Sequence, residues 1–303
     1  MDRKLILQKF ANLNIWKRSG ERAPHKPLLV LYAIGKLRQD NRRLIPYSEI
    51  DRDLEELLRE FGPKRANYRT EYPFWRLRKD SVWEVSDADK IGLTKSGDAL
   101  KGDLDSYNVS GGFLEAIAQQ LQHDSKLASE IIHGLLYAHF PVSIHEDILQ
   151  ATGIEDILQV TEIVFAPQIS KARKRSPHFR TNILKAYEYK CAICGFDVKL
   201  GDKPVGLEAA HIKWHQAGGP DIEVNGLALC SLHHKLFDRG AFALFEQLEI
   251  RVSKDACGSV GFEEWLLRFH GKKINFPQRQ SFYPKESFIG WHVREVFKGN
   301  YLE

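Results

Sequence analysis

Residues 187–244 read YEYKCAICGFDVKLGDKPVGLEAAHIKWHQAGGPDIEVNGLALCSLHHKLFDRGAFAL, and two chemistries are interleaved in them. Cys191-x-x-Cys194 and Cys230-x-x-His233 are two pairs of soft ligands at the spacing with which a short turn wraps one zinc ion. Four sulfur and nitrogen donors close a tetrahedral site and leave no open position, so the pattern predicts a structural Zn²⁺ rather than a catalytic one. Beside these pairs stand His211, Asn225 and His234, none of which the zinc needs. They predict a second site.

Three ordered motifs, AAHI, VNGLALC and LHHKLFDRG, resemble the HNH endonucleases of the ββα-metal fold. The resemblance covers roughly the last third of the chain. It implies a hairpin strand ending at His211, a loop, a second strand near Asn225–Leu229 and a helix from about Leu232. Neighbours on a helix point roughly 100° apart, so His233 and His234 do not easily share one ion. His233 then serves the zinc. His234 and Asp238, at i and i+4, share a helix face and a spacing able to hold one divalent cation, Mg²⁺ or Mn²⁺.

The resemblance implies the roles. His211 is the general base, because a neutral imidazole near physiological pH can take a proton from attacking water. Asn225 braces the loop that aims it. One position departs from the family pattern. Many relatives carry Asp or His immediately before the base as a further metal ligand, and here that residue is Ala210.

The whole chain sets the bounds. At 303 residues it is long enough for two cores, with 43% hydrophobic and 28% charged residues. No stretch has the length of a membrane span, and the charged start MDRKLILQKF does not read as a signal peptide. Four cysteines, three of them in the zinc pattern, argue for a reducing cytoplasm over a disulfide framework, with Cys257 left as an idle thiol. The net charge of +4 permits nucleic-acid binding without demanding it.

In the N-terminal half, helical spacing covers residues 3–17, a loop follows, and Leu28–Leu37 reads as a buried helix. Ile50–Phe61 reads as another helix, GPKRANYRTEYP as a basic loop, and FWRLRKDSVWEV as two short strands around Lys79-Asp80, forming a wing. Together these predict a small winged-helix-like α/β domain. APHKPLLVLYAIGKL, PYSEID, LREFGP and YPFWRLRKDSVWEV also resemble the sulfur-binding domain of nucleases that restrict phosphorothioate-modified DNA. That resemblance spans about residues 10–105.

A phosphorothioate carries sulfur in place of one non-bridging oxygen, larger and a poorer hydrogen-bond acceptor. An apolar cup accepts it and penalises the oxygen, which would lose its hydration uncompensated. Tyr72-Pro73, flanked by Phe74 and Trp75, is the candidate cup. His25 and Lys26 in the first loop are expected to hold the phosphate, Arg76 and Arg78 to add contacts, and Lys95 and Ser96 to reach DNA from a later loop. Relatives often have Arg where Lys26 stands and a small residue near Arg76. The bland alternative makes Phe74, Trp75 and Trp83 core residues and HKP a turn.

Residues 109–151 carry amphipathic helices without chemistry; His133, His139 and His145 are read as packing or surface residues. Lys171, Arg173, Lys174 and Arg175 form a basic linker. Phe242–Val252 reads as a strand pair, and two further helices close the chain, with Trp291 and His292 as packing residues and His215 as an exposed loop residue. The fold class is thus α+β: a recognition domain over 1–108, a helical connector and linker over 109–178, and a zinc-stapled HNH domain over 179–303. The two resemblances together imply a Type IV, modification-dependent endonuclease acting on double-stranded phosphorothioate DNA, with no membrane association and a homodimer as a candidate assembly for cutting both strands. The rival readings are a zinc-stapled DNA-binding protein without catalysis and an HNH nuclease that reads another DNA mark.

Overall fold

The computed structural model describes residues 2–16, 20–154 and 176–303, so the basic run Lys171, Arg173, Lys174 and Arg175 lies outside the described residues. Contacts divide the chain into two units, Met1–Arg18 with Ala23–Ala172 and Ser19–Arg22 with Arg173–Glu303. Among the described residues no helix is long and apolar enough to cross a membrane.

The first unit is built on α2 (His25–Asp40), which follows α1 (Arg3–Ala11). From Leu28 to Ile34 every α2 side chain is buried, and the helix stops at Asn41 in the left-handed region (φ 53°). Strand β1 (Leu44–Pro46) leads into α3 (Tyr47–Phe61), whose Ile50, Leu54, Leu57, Leu58 and Phe61 form one buried stripe. Then come α4 (Glu71–Arg76), β2 (Trp83–Val85), α5 (Lys101–Ser106) and β3 (Ser110–Phe113). The strands pair antiparallel in the order β1-β3-β2. A helix, a strand, two helices, a strand, a short helix and a last, central strand make up the winged-helix-like α/β arrangement.

The wing itself lies elsewhere. Phe74–Arg76, expected to open a hairpin, are in α4, and a 3-10 turn over Leu77–Asp80 ends at Ser81 with φ 56°. The aromatic residues mimic strand alternation, but Pro73 falls in the first helical turn, where its missing N–H costs nothing. The excursion between the paired strands is residues 86–109, carrying α5. Gly111 on β3 is required by packing: a Cβ there would meet the Phe74 ring at 2.4 Å. His25 and Lys26 likewise sit in the first turn of α2, with Pro27 third in the helix, rather than in a loop.

Helices α6 (Glu115–His123), α7 (Ser125–His139) and α8 (His145–Ala151) complete this unit. Asp124 caps α7 by accepting from the Leu127 N–H at 2.8 Å, and Arg3 ties α1 to it through Asp124 at 3.1 Å and Glu130 at 2.8 Å.

The second unit holds α9 (Phe179–Ala186), the small hairpin β4 (Lys199–Leu200) and β5 (Lys203–Pro204), then β6 (Leu207–His211), β7 (Gly226–Cys230) and α10 (Ser231–Asp238). β6 and β7 are antiparallel, with His211 opposite Gly226 and Leu207 opposite Cys230. This is the ββα order that the motifs imply. β8 (Phe242–Leu244) pairs with β9 (Ile250–Val252), and α11 (Val260–Trp265) and α12 (Glu286–Glu295) follow. The core joins Ile183 and Leu184 of α9 to the inner faces of both hairpins, Phe237 of α10 and Ile289 of α12.

Candidate functional site

The cysteine pairs converge. Cys191, Cys194, Cys230 and His233 offer donor atoms that all lie within 4.8 Å of one another. His233 Nδ1 is 3.1 Å from Cys230 Sγ and 3.8 Å from Cys191 Sγ, and the Cys194 and Cys230 sulfurs are 4.0 Å apart. Local structure explains the grip. The Cys191–Cys194 turn closes through the Gly195 N–H onto Cys191 O at 2.9 Å, while Cys230 ends β7 and His233 follows one turn later on α10. His233 Nε2–H donates to the Trp265 carbonyl at 2.9 Å, which fixes Nδ1 as the lone-pair nitrogen. Three thiols and one imidazole are a donor set suited to a closed metal centre. Cys257 is exposed and not one of its members.

His211 ends β6, 7% exposed, with its ring stacked on Phe179 at 4.0 Å between centroids. Its Nε2–H donates to Asp221 Oδ1 at 2.7 Å, and His215 Nε2 is 3.9 Å from the other carboxylate oxygen. His215, expected to be exposed, is buried. Burial opposes the charge on Asp221, but the backbone N–H of Ser176 and the His211 ring together hold its pKa below the ordinary value. Asn225 is fully buried and clamps the segment after His211. Its Oδ1 accepts from Lys213 N at 2.8 Å, and its Nδ2 donates to the carbonyls of Lys213 at 3.0 Å and Pro220 at 2.9 Å.

His234 has a carboxylate at each ring nitrogen: Glu208 at 2.6 Å from Nδ1 and Asp238 at 3.1 Å from Nε2. Burial lowers its pKa, but the two carboxylates override this and lift it to about 9. The hydrogen bond from His234 in turn brings Glu208 down to about 2. Asp238 also accepts from Trp214 Nε1–H at 2.8 Å. Glu208 is an acid on β6 two residues before Ala210. Side chains alternate along a strand, so residues 208 and 210 share a face, and Glu208 reaches the α10 side from one pleat earlier. Glu208 and Asp221 are the residues that motif reading passed over. Their only sequence signal was an acidic residue inside an otherwise small or apolar strand, LEAAH, and one inside the tight GGPD loop. Glu208 and Asp238 stand at opposite nitrogens of the ring, so His234 Nε2 and Asp238, 3.1 Å apart, are the two donors here that can face one cation together, and among the described residues three or more donors converge only at the cysteine site.

In the first unit, Tyr72, Trp75, Arg76 and Ser96 come together. The Arg76 guanidinium lies 4.5 Å from the Tyr72 ring centroid and makes a two-pronged ion pair with Asp98 at 2.6 and 2.7 Å. Ser96 Oγ–H donates to the same carboxylate at 3.1 Å, and Trp75 Nε1–H donates to Gly97 O at 3.2 Å. Arg78 covers Trp75 at 4.0 Å, and Lys95 is exposed. Pro73 is buried, and Phe74 is fully buried against Tyr47 and Trp83, supporting the cluster from within. Lys26 is buried too, with its ammonium donating to Asn14 O at 2.8 Å and to Asp80. His25 is brought instead to the basic loop before α4. Burial, aided by the Arg65 charge, lowers its pKa to about 4 against a hydrogen bond with the Tyr68 backbone.

Comparison with known proteins matches residues 3–157 to the ScoMcrA-like DNA sulfur-binding domain and residues 191–244 to the HNH endonuclease family. Among solved structures, the sulfur-binding domain of ScoMcrA complexed with phosphorothioated DNA is 25% identical, with TM-score 0.46, over 50% of this chain and 97% of that one. The Type IV phosphorothioation-dependent restriction endonuclease ScoMcrA is 23% identical, with TM-score 0.47, over 56% of this chain and 37% of that one. The modification-dependent TagI restriction endonuclease is 24% identical, with TM-score 0.30, over 40% of this chain and 38% of that one. No curated protein matches. The sulfur-binding match spans just over half of the residues, and so the chain belongs to the ScoMcrA-like DNA sulfur-binding domain family, here joined to an HNH endonuclease domain.

Proposed function

We propose that this protein is a restriction nuclease that recognises phosphorothioate in double-stranded DNA through its first unit and hydrolyses phosphodiester bonds nearby through its second. The observation that carries this reading is the pairing, in one chain, of a sulfur-binding domain with an HNH domain whose His211, Asn225 and His234 are all held by specific partners. Recognition is assigned to the span matched by the sulfur-binding family, residues 3–157, so the stretch 109–151, expected as a connector, supplies β3 and α6–α8 to that unit, and the nuclease is assigned to 179–303. The protein acts in the cytoplasm.

His211 takes a proton from a water molecule whose oxygen attacks phosphorus. The P–O3′ bond breaks, leaving a 5′-phosphate and, once the leaving oxygen is protonated, a 3′-hydroxyl. Asn225 keeps the segment after His211 in place. His234 and Asp238 would hold Mg²⁺ or Mn²⁺, which when bound neutralises charge on the scissile phosphate and the leaving oxygen. Cys191, Cys194, Cys230 and His233 hold Zn²⁺ as a structural staple. Tyr72 offers its half-buried ring to sulfur with Pro73 and Trp75 packed behind it, and His25, Lys95, Ser96 and Arg76 line the approach of the backbone. Lys26 contributes by fixing α2 to Asp80, and Phe74 by supporting α4. Sulfur-for-oxygen discrimination of such a wall is on the order of 1–3 kcal/mol, so flanking bases contribute as well. One such site cuts one strand, so a double-strand break calls for a homodimer or two successive nicks.

The test is incubation with a Mg²⁺ and Mn²⁺ panel and matched plasmids with and without phosphorothioate. Cutting of the modified plasmid alone supports the reading, and equal cutting of both discards the recognition half. Binding without cutting in any metal would make the protein a zinc-stapled DNA-binding protein.

A further inference from the structure

We infer that Asp221 is a positioning residue for the hydrolysis: it fixes the tautomer of His211 so that Nδ1, not Nε2, is the nitrogen that receives the proton from water. The inference rests on His211 being the general base. Geometry carries it. Asp221 Oδ1 accepts the Nε2 proton of His211 at 2.7 Å, and the carboxylate is itself held by the Ser176 N–H at 2.6 Å. Phe179 of α9 stacks on the imidazole at 4.0 Å with planes only 14° apart, which restricts the ring's tilt. A neutral imidazole carries one proton. With that proton directed at a carboxylate, the lone pair belongs to Nδ1.

The same carboxylate stabilises the imidazolium formed once Nδ1 has accepted the proton. The groups that face the His211 ring among the described residues are Asp221 from the loop before β7, His215 from the turn after β6 and the uncharged ring of Phe179. Asp221 is the only carboxylate of the three. In the reaction the proton moves from water to Nδ1, the water oxygen bonds to phosphorus and the P–O3′ bond breaks. The Nε2 proton stays between His211 and Asp221 throughout, so the carboxylate is not itself protonated.

Two measurements test this on the whole 303-residue chain. Nitrogen-15 spectra of the histidine-labelled protein, assigned with His211→Ala, should show His211 neutral and protonated at Nε2 in the wild type, and a tautomer mixture in Asp221→Asn. In cleavage of phosphorothioate plasmid, Asp221→Asn should lower kcat by about 10²–10⁴-fold with KM within about 3-fold. Its acid limb should move to lower pH, because the negative charge 2.7 Å from the imidazole is gone. Asp221→Glu should recover part of the loss, and the Asp221→Asn change added to His211→Ala should cost nothing more. A wild-type His211 protonated at Nδ1 overturns the inference, as does Asp221→Asn with the wild-type pH profile. If the wild type cuts no DNA with any metal, the nuclease reading fails by itself, and a mobile or Nδ1-protonated ring in the spectra still decides against Asp221. Should Asp221→Asn fail to fold, the wild-type spectra and Asp221→Glu decide the matter.

Discussion

His234 has both nitrogens engaged by acids, and Glu208 is the more exposed of the two, with 44% of its side chain open against 2% for Asp238. An exposed carboxylate beside a buried one is the partner able to turn toward an incoming cation at low cost. Glu208→Gln is therefore expected to raise the Mg²⁺ or Mn²⁺ concentration needed for half-maximal cleavage by about 10–100-fold while leaving DNA binding intact. A metal titration of the cleavage rate checks it, and an unchanged midpoint counts against a role for Glu208. In the first unit, Asp98 keeps the Arg76 charge occupied beside the half-buried Tyr72 ring. An oxygen-bearing phosphate profits more than a sulfur-bearing one from a freed guanidinium, since oxygen is the better acceptor. Asp98→Asn should tighten binding to unmodified DNA and shrink the affinity ratio between modified and unmodified duplexes several-fold in fluorescence anisotropy. Both carboxylates escaped the sequence because an Asp or Glu acquires its meaning from a partner distant along the chain. His211, Asn225 and His234 could be singled out because the ordered family motifs fix their residue type and order.

At the scale of elements, the hairpin β6-β7 and helix α10 were legible to within a residue or two, because the ordered motifs AAHI, VNGLALC and LHHKLFDRG carry a family resemblance that implies them. Helix α4 was not. EYPFWR has aromatic residues in succession and a proline, which favour strand or turn locally, and only burial of Pro73, Phe74 and Trp75 in the surrounding core makes a helix of it. The zinc pairs tie the turn after α9 to the junction of β7 and α10, two segments distant along the chain. Structural zinc supplies about 10–16 kcal/mol in small modules. Chelation is thus expected to unfold the second unit, seen as protease cleavage within 187–244, and a chelated protein that keeps its protection would remove zinc from the account. Cys194→Ser should act in the same direction with a smaller loss, because the remaining three donors still bind.

For the whole molecule, lysine and arginine number 44 against 40 acids, so no overall field draws in DNA, and specificity depends on the local arrangement of charge. The division of labour between the two units was legible because each carries an ordered set of motifs. Acid should disable the nuclease half, and His292 gives the direction. It is 1% exposed, stacked on Phe237 at 3.7 Å between centroids, and its Nε2–H donates to the Phe237 carbonyl at 3.1 Å. Burial lowers its pKa to about 4, and the charge of Arg22 acts in the same direction. A free histidine titrates near 6.5. Because the folded value is the lower one, the unfolded chain takes up the proton first as pH falls. The stability linked to His292 is complete above about pH 6.5 and is lost as pH falls from there toward 4, by roughly 3 kcal/mol across the interval. A cation on Asp238 would remove a charge that favours protonation and deepen the effect. Urea denaturation of the second unit, followed between pH 7 and pH 4.5, should show this loss, and His292→Phe should flatten it. A slope equal in the wild type and the variant would mean that other groups govern the acid sensitivity.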